Sequence, residues 1–258
     1  MFSRRLTPRK GKKRIKRGIY ILPSIFTSLG LFCGFYSITA SIKLSFVNAS
    51  WAIILATAFD AIDGRIARLT NSVSKFGEHY DSLVDVISFG VAPGVLLYNW
   101  ALQPFGRWGW LATFLYLICV ALRLARFTTQ SKSLGNRYFQ GMPCPPAALM
   151  IASTVIFMYN HGIAEIKNVA IPLLTCTLAM LMVSTLRYHS FKDFDFRKRR
   201  PFSVLVAVII LLILFFGEPV FFLFLGAGIY TMSGPIGYFF YMRKKRLQKE
   251  ILKEKRAY

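Results

Sequence analysis

Residues 59–85 read FDAIDGRIARLTNSVSKFGEHYDSLVD, and four aspartates, Asp60, Asp63, Asp81 and Asp85, stand there at the facing ends of two otherwise apolar segments. A carboxylate within a membrane span costs a few kcal/mol or more, so four together demand a functional explanation. The simplest is a bound metal. On a helix turning ~100° per residue, Asp60, Asp63, Gly64 and Ala67 share one arc, and Gly77, Asp81 and Asp85 follow one another at i, i+4 and i+8. Two acidic faces are therefore able to meet.

The surroundings of this stretch set the class. The chain has 258 residues, 55% of them hydrophobic and 16% aromatic, with a mean hydropathy of +0.47. These values point to an all-α polytopic membrane bundle. Apolar runs near the ~20 residues that cross a bilayer fall at Ile19–Ile42, Asn48–Leu69, Leu83–Leu102, Trp108–Phe127, Cys144–Asn160, Val169–Leu186, Phe202–Gly217 and Pro219–Met242. About eight spans are expected.

The net charge of +22 is not a nucleic-acid signal, because the basic residues sit in alternate connections. RRLTPRKGKKRIKR (4–17) is followed by Arg65, Arg68 and Lys75, then Arg123, Arg126, Lys132 and Arg137, then Arg187, Lys192 and RKRR (197–200), and finally RKKRLQKEILKEKR (243–256). The intervening connections hold only Lys43, Arg107 and Lys167. The positive-inside rule then puts both termini and the acidic stretch in the cytoplasm. An even number of spans agrees. The same excess also attracts anionic headgroups, at ~1 kcal/mol per near-surface Lys or Arg. Cys33, Cys119, Cys144 and Cys176 show no CxxC pairing and read as small apolar residues. The first apolar run is too long for a cleaved signal peptide.

Four carboxylates this close stay ionised only with divalent cations among them. All-oxygen ligands select Mg²⁺, Mn²⁺ or Ca²⁺ over zinc. Two such ions ~3.5–4 Å apart make a clamp for displacement at phosphorus. Gly64, Ala67 and Gly77 line the same faces and leave room for a bulky ligand; singly, such residues more often serve helix packing.

The pattern Asp60-x2-Asp63-Gly64-x2-Ala67-Arg68-x8-Gly77-x3-Asp81-x3-Asp85 resembles the signature of the CDP-alcohol phosphatidyltransferases, with every fixed position matched. That resemblance implies membrane enzymes that move a phosphatidyl group from a CDP-linked lipid to a small alcohol and release CMP. It further implies a six-helix catalytic core, commonly homodimeric, that requires Mg²⁺ or Mn²⁺, as two ions. Asp60, Asp63, Asp81 and Asp85 would be metal ligands, Asp85 also the catalytic base, and Gly64, Ala67, Arg68 and Gly77 would bind CDP-lipid. On this reading 1–18 is a basic cytoplasmic segment, 19–187 the catalytic core, 188–201 a basic loop, 202–242 two added spans and 243–258 a basic tail.

The acceptor must be read elsewhere. RGIYILPSIFTSLGLFCGFYS (17–37), VISFGVAPG (86–94), ALRLARF (121–127) and YFQGMPCPPAA (138–148) resemble the phosphatidylserine-forming branch of bacterial membrane-integral members. This implies CDP-diacylglycerol and L-serine as substrates, at the inner face of the cytoplasmic membrane. The chain departs from many relatives in having Ser24 and Gly30 where they carry Asn. A serine carboxylate needs a cation; Arg123 and Arg126, at i and i+3, are candidates, with Ser88 and Gln140 as polar partners. Other acceptors stay open, namely inositol phosphate, glycerol 3-phosphate and choline. Intramembrane acids also mark cation transporters, but those often place sites near mid-bilayer between repeated halves, and no repeat is evident here. A lipid-binding scaffold would leave the signature spacing unexplained.

Overall fold

A computed structural model describes residues 21–69, 74–130, 138–162, 169–189 and 217–257. The basic N-terminal segment, the loop 190–201 and residues 202–216 of the expected seventh span lie outside the described residues, as do the side chains of the basic tail. The described chain is helical apart from one small ribbon. In order come α1 (Ile21–Ile42), α2 (Phe46–Leu69) and α3 (Lys75–Asp85), then a π-helical turn (Val86–Val91) and α4 (Ala92–Leu97). A second π turn (Tyr98–Leu102) and a 3-10 turn (Gln103–Phe105) lead to α5 (Arg107–Gln130), α6 (Cys144–Asn160), α7 (Ala170–Val183) and α8 (Pro219–Ala257). β1 (Tyr138–Gln140) pairs antiparallel with β2 (Arg187–His189), Phe139 opposite Tyr188.

Five helices are long and apolar enough to cross a membrane: Ser24–Ile42, Phe46–Ile66, Lys75–Phe105, Arg107–Thr128 and Pro219–Phe239. α6 and α7 are apolar but shorter. Burial is distributed as lipid solvent demands. Phe32, Phe35, Leu55 and Trp108 point outward, while Ser37, Ala49, Ser50, Ala52 and Ala56 are buried between helices. Small residues inside let helix backbones approach closely, and bulky apolar ones face the hydrocarbon. The chain is an integral membrane protein.

The third span starts earlier than hydropathy indicates. It is a single rod from Lys75 to Phe105, because Ser74 caps it, its hydroxyl accepting from the Gly77 N–H at 3.0 Å. The first turns of the rod are polar, so a search for apolar runs begins only at Leu83. At the other end of the chain α8 continues unbroken through the basic tail to Ala257.

Two prolines shape the packing in the same way. Proline has no N–H, so Pro93 offers nothing to the Phe89 carbonyl four residues back. The fully buried Tyr116 of α5 donates its hydroxyl to that carbonyl at 2.9 Å. Pro235, inside α8, likewise leaves the Thr231 carbonyl open, and buried Tyr188 of β2 donates to it at 3.2 Å. Each tyrosine thus fastens one element to another through a backbone group that a proline has exposed.

Candidate active site

α1 packs along α2 and also against α3, while α2 meets the rod at the first π turn and α4. The C-terminal end of α2 and the N-terminal end of α3 therefore flank a cleft with α1 at its side. Phe26, Thr27, Gly30, Ala56, Asp60, Asp63, Asp81, Val84, Asp85, Ser88 and Phe89 line it. The carboxylates of Asp60, Asp63 and Asp81 each offer an oxygen within 4.8 Å of the others. Asp63 is buried, and Thr27 donates its hydroxyl to Asp63 Oδ2 at 2.9 Å. Asp85, one turn beyond Asp81, lines the same cleft without belonging to the three-carboxylate cluster.

Three convergent carboxylates in a partly buried cleft suit a hard divalent cation, since all donors are oxygen and no His or Cys joins the cluster. The Thr27 hydroxyl is an uncharged donor that helps to fix the Asp63 carboxylate in the cleft.

The glycines separate into packing and open positions. A Cβ on Gly34 would lie 2.6 Å from Ser88 Oγ, so Gly34 lets α1 and the rod touch. At Gly64 a Cβ would meet nothing within 4 Å. Helix packing therefore gives no reason for a glycine there, although glycine costs about 1 kcal/mol relative to alanine inside a helix. Gly77 is intermediate: a Cβ would sit 3.2 Å from Ser74 Oγ, against the cap of α3. The side chains of Ala67 and Arg68, on the last turn of α2, lie outside the described residues.

Ser88 is buried, and its hydroxyl donates to the Gly30 carbonyl at 3.1 Å. It therefore ties α1 to the π turn that directly follows Asp85. π turns shift the helical register and recur at functional sites; here the turn was not legible in the sequence.

Arg123 is half-buried on α5 and does not line the cleft, yet its charge acts on both Asp60 and Asp85. Its Nη1 donates to Cys144 Sγ at 3.2 Å. Its Nε is buried with no hydrogen-bond partner among the described residues. Arg126 is half-buried one turn further along α5. Gln140 lies on β1, and its side chain is outside the described residues. The motif around it has a backbone role: Gly141 has φ +80°, a Cβ there would collide with the Met182 carbonyl, and its N–H donates to Leu186 O at 2.8 Å. Met142 N–H donates to Leu181 O at 3.1 Å. FQGMP thus stitches the start of α6 to the end of α7. Cys144, read as a small apolar residue, is buried as such but also holds the arginine.

A model of the CDP-alcohol phosphatidyltransferases matches residues 20–186, which contain the whole acidic cleft. The chain belongs to the CDP-alcohol phosphatidyltransferase family. Among curated members of the family, a CDP-diacylglycerol–serine O-phosphatidyltransferase of Helicobacter pylori is 36% identical over 227 residues, covering 88% of this chain and 94% of its own. An archaetidylserine synthase of Methanothermobacter thermautotrophicus is 36% identical over 65% of this chain and 69% of its own. The CDP-diacylglycerol–serine O-phosphatidyltransferase of Bacillus subtilis is 33% identical over 66% of this chain and 91% of its own. The four aspartates of the phosphatidyltransferase signature, Asp60, Asp63, Asp81 and Asp85, all line the cleft.

Proposed function

We propose that this phosphatidyltransferase moves the phosphatidyl group of CDP-diacylglycerol to the hydroxyl of L-serine, giving phosphatidylserine and CMP. The observation that supports the reading most is the convergence of Asp60, Asp63 and Asp81 beside Asp85, in a chain similar over 88% of its length to a serine-transferring relative.

Asp60, Asp63 and Asp81 would hold Mg²⁺ or Mn²⁺, two ions if Asp85 also contributes. A metal held there would supply positive charge to neutralise the diphosphate and the departing CMP. The rest falls to the chain's own groups. Asp85 accepts the proton of the serine hydroxyl as its oxygen bonds to the phosphorus bearing diacylglycerol and the bond to the CMP oxygen breaks. The open face at Gly64 admits the nucleotide end, together with Ala67, Arg68 and Gly77. Arg123 has a buried, unpaired Nε–H and a guanidinium fork suited to a carboxylate. Serine supplies one, and choline does not. Residues 19–187 form the catalytic core, within an eight-span, homodimeric protein of the bacterial cytoplasmic membrane whose site faces the cytoplasm.

An acceptor panel tests the reading. Purified protein with CDP-diacylglycerol and Mn²⁺ should form labelled lipid from labelled serine, with one CMP per lipid. Product with glycerol 3-phosphate, inositol phosphate or choline, and none with serine, would overturn the acceptor while keeping the reaction class.

A further inference from the structure

Among the described residues, the two aspartate-bearing helices scarcely pack on each other: α1 runs along α2 and against α3, whereas α2 and α3 hardly approach directly. Yet the carboxylates of Asp60 and Asp63 converge with that of Asp81 to within 4.8 Å. Their spacing is therefore set by the element that touches both helices, which is α1. A Cβ on buried Gly30 would stand 4.0 Å from the Ala56 carbonyl oxygen of α2 and 4.0 Å from Val84 Cγ1 of α3. One turn earlier, two consecutive residues of α1 bond to the two helices in turn. Thr27 donates to Asp63 Oδ2 of α2 at 2.9 Å, and Ser28 Oγ lies 2.9 Å from the Tyr80 hydroxyl of α3. The Ser28 hydroxyl gives its single proton to the Ser24 carbonyl at 2.7 Å, so in the second bond the Tyr80 phenol donates and Ser28 accepts.

Tyr80 directly precedes Asp81, and its ring stacks on that of Phe76 with centroids 6.0 Å apart. A phenol held at both its ring and its hydroxyl fixes the rotation of α3 about its own axis. Asp81, ~100° further round the same helix, turns with it. We infer that α1 is the spacer of the carboxylate cluster, with Tyr80 as a positioning residue that sets Asp81 through Ser28, the counterpart of Thr27 on Asp63. Tyr80 does not line the cleft and acts only through its neighbour. The inference rests on the metal reading above and is independent of the acceptor.

Tyr80→Phe keeps the stack on Phe76 and removes only the phenol oxygen. In the full-length protein without substrate, paramagnetic resonance titration should show Mn²⁺ affinity about threefold weaker, the lower end of one hydrogen bond's contribution because this one is exposed. Ser28→Ala should lose the same amount, and the double variant no more than either, since both changes delete one bond. Ser82→Ala is the control: it removes the exposed 2.9 Å bond from the Ser82 hydroxyl to the Glu78 carbonyl, beside Asp81 but confined to α3, and should leave Mn²⁺ affinity at the wild-type value. Unchanged affinity in Tyr80→Phe, additive losses in the double variant, or an equal loss in Ser82→Ala would overturn the inference. Failure of the wild-type protein to bind Mn²⁺ would instead overturn the metal reading, so the two failures are distinguishable.

Discussion

The acidic side of the site comes from two consecutive helices, with Asp60 and Asp63 ending α2 and Asp81 and Asp85 on α3. Its cationic side is assembled from two distant ones, Arg123 on α5 and Cys144 on α6. On the first side helical spacing alone turns the groups toward one another. On the second, position depends on tertiary devices, such as the thiol that takes Arg123 Nη1 and the tyrosine hydroxyl that takes a carbonyl freed by proline. On the proposed function the contrast becomes a division of labour, in which the local side would bind metal and perform the transfer while the assembled side would select and hold the acceptor.

The strongest way to break that division is to compare one substitution from each side. Asp85→Asn should lower CMP release about 10³-fold through loss of the base, in protein that still melts cooperatively. Arg123→Lys should raise the serine KM about tenfold with much smaller loss of kcat, because an ammonium replaces the two-pronged fork. A kcat loss in Arg123→Lys as deep as that of Asp85→Asn would erase the distinction.

Within the acidic side, glycines give the next largest effects. A Cβ at Gly64 meets no protein atom within 4 Å. Gly64→Val should keep the thermal transition near wild type while raising the KM for CDP-diacylglycerol about tenfold, the order expected when about 1.4 kcal/mol of ligand contact is lost. Gly34→Val places atoms against Ser88 and should behave oppositely, losing roughly 1–3 kcal/mol of stability by overpacking. Smaller again is Thr27→Val, which deletes the 2.9 Å bond to Asp63 and should weaken Mn²⁺ affinity about fivefold, read by paramagnetic resonance titration. The smallest effect belongs to Ser88→Ala, about 1 kcal/mol of stability from the lost bond to Gly30. A selective rise in serine KM there would move Ser88 from the packing of α1 to the acceptor side.

How much was legible follows the same boundary. The helical class and the convergence of the aspartates could be read because hydropathy and spacing are local properties. The early start of α3 was missed because its first turns are polar, although Ser74 three residues before Gly77 is a cap signal. The π turn after Asp85 has no composition of its own, and three-residue strands such as Tyr138–Gln140 and Arg187–His189 are too short to leave a period. Cys144 looked like any small apolar residue because nothing in the chain announces that Arg123, about two turns from the end of α5, will reach it. Tyr188 was not singled out at all. Pro235 was the available clue, since a proline inside a helix always leaves a carbonyl that something must satisfy.

The central claim is that the two sides act separately, and paired titrations of one variant from each test it most directly. Mn²⁺ affinity and serine KM should be measured side by side for Asp63→Asn and Arg123→Ala. Asp63→Asn should lose Mn²⁺ affinity; Arg123→Ala should raise the serine KM while leaving Mn²⁺ binding equal or tighter, since a positive charge near Asp60 and Asp85 has been removed. Weaker Mn²⁺ binding in Arg123→Ala with an unchanged serine KM would contradict the account.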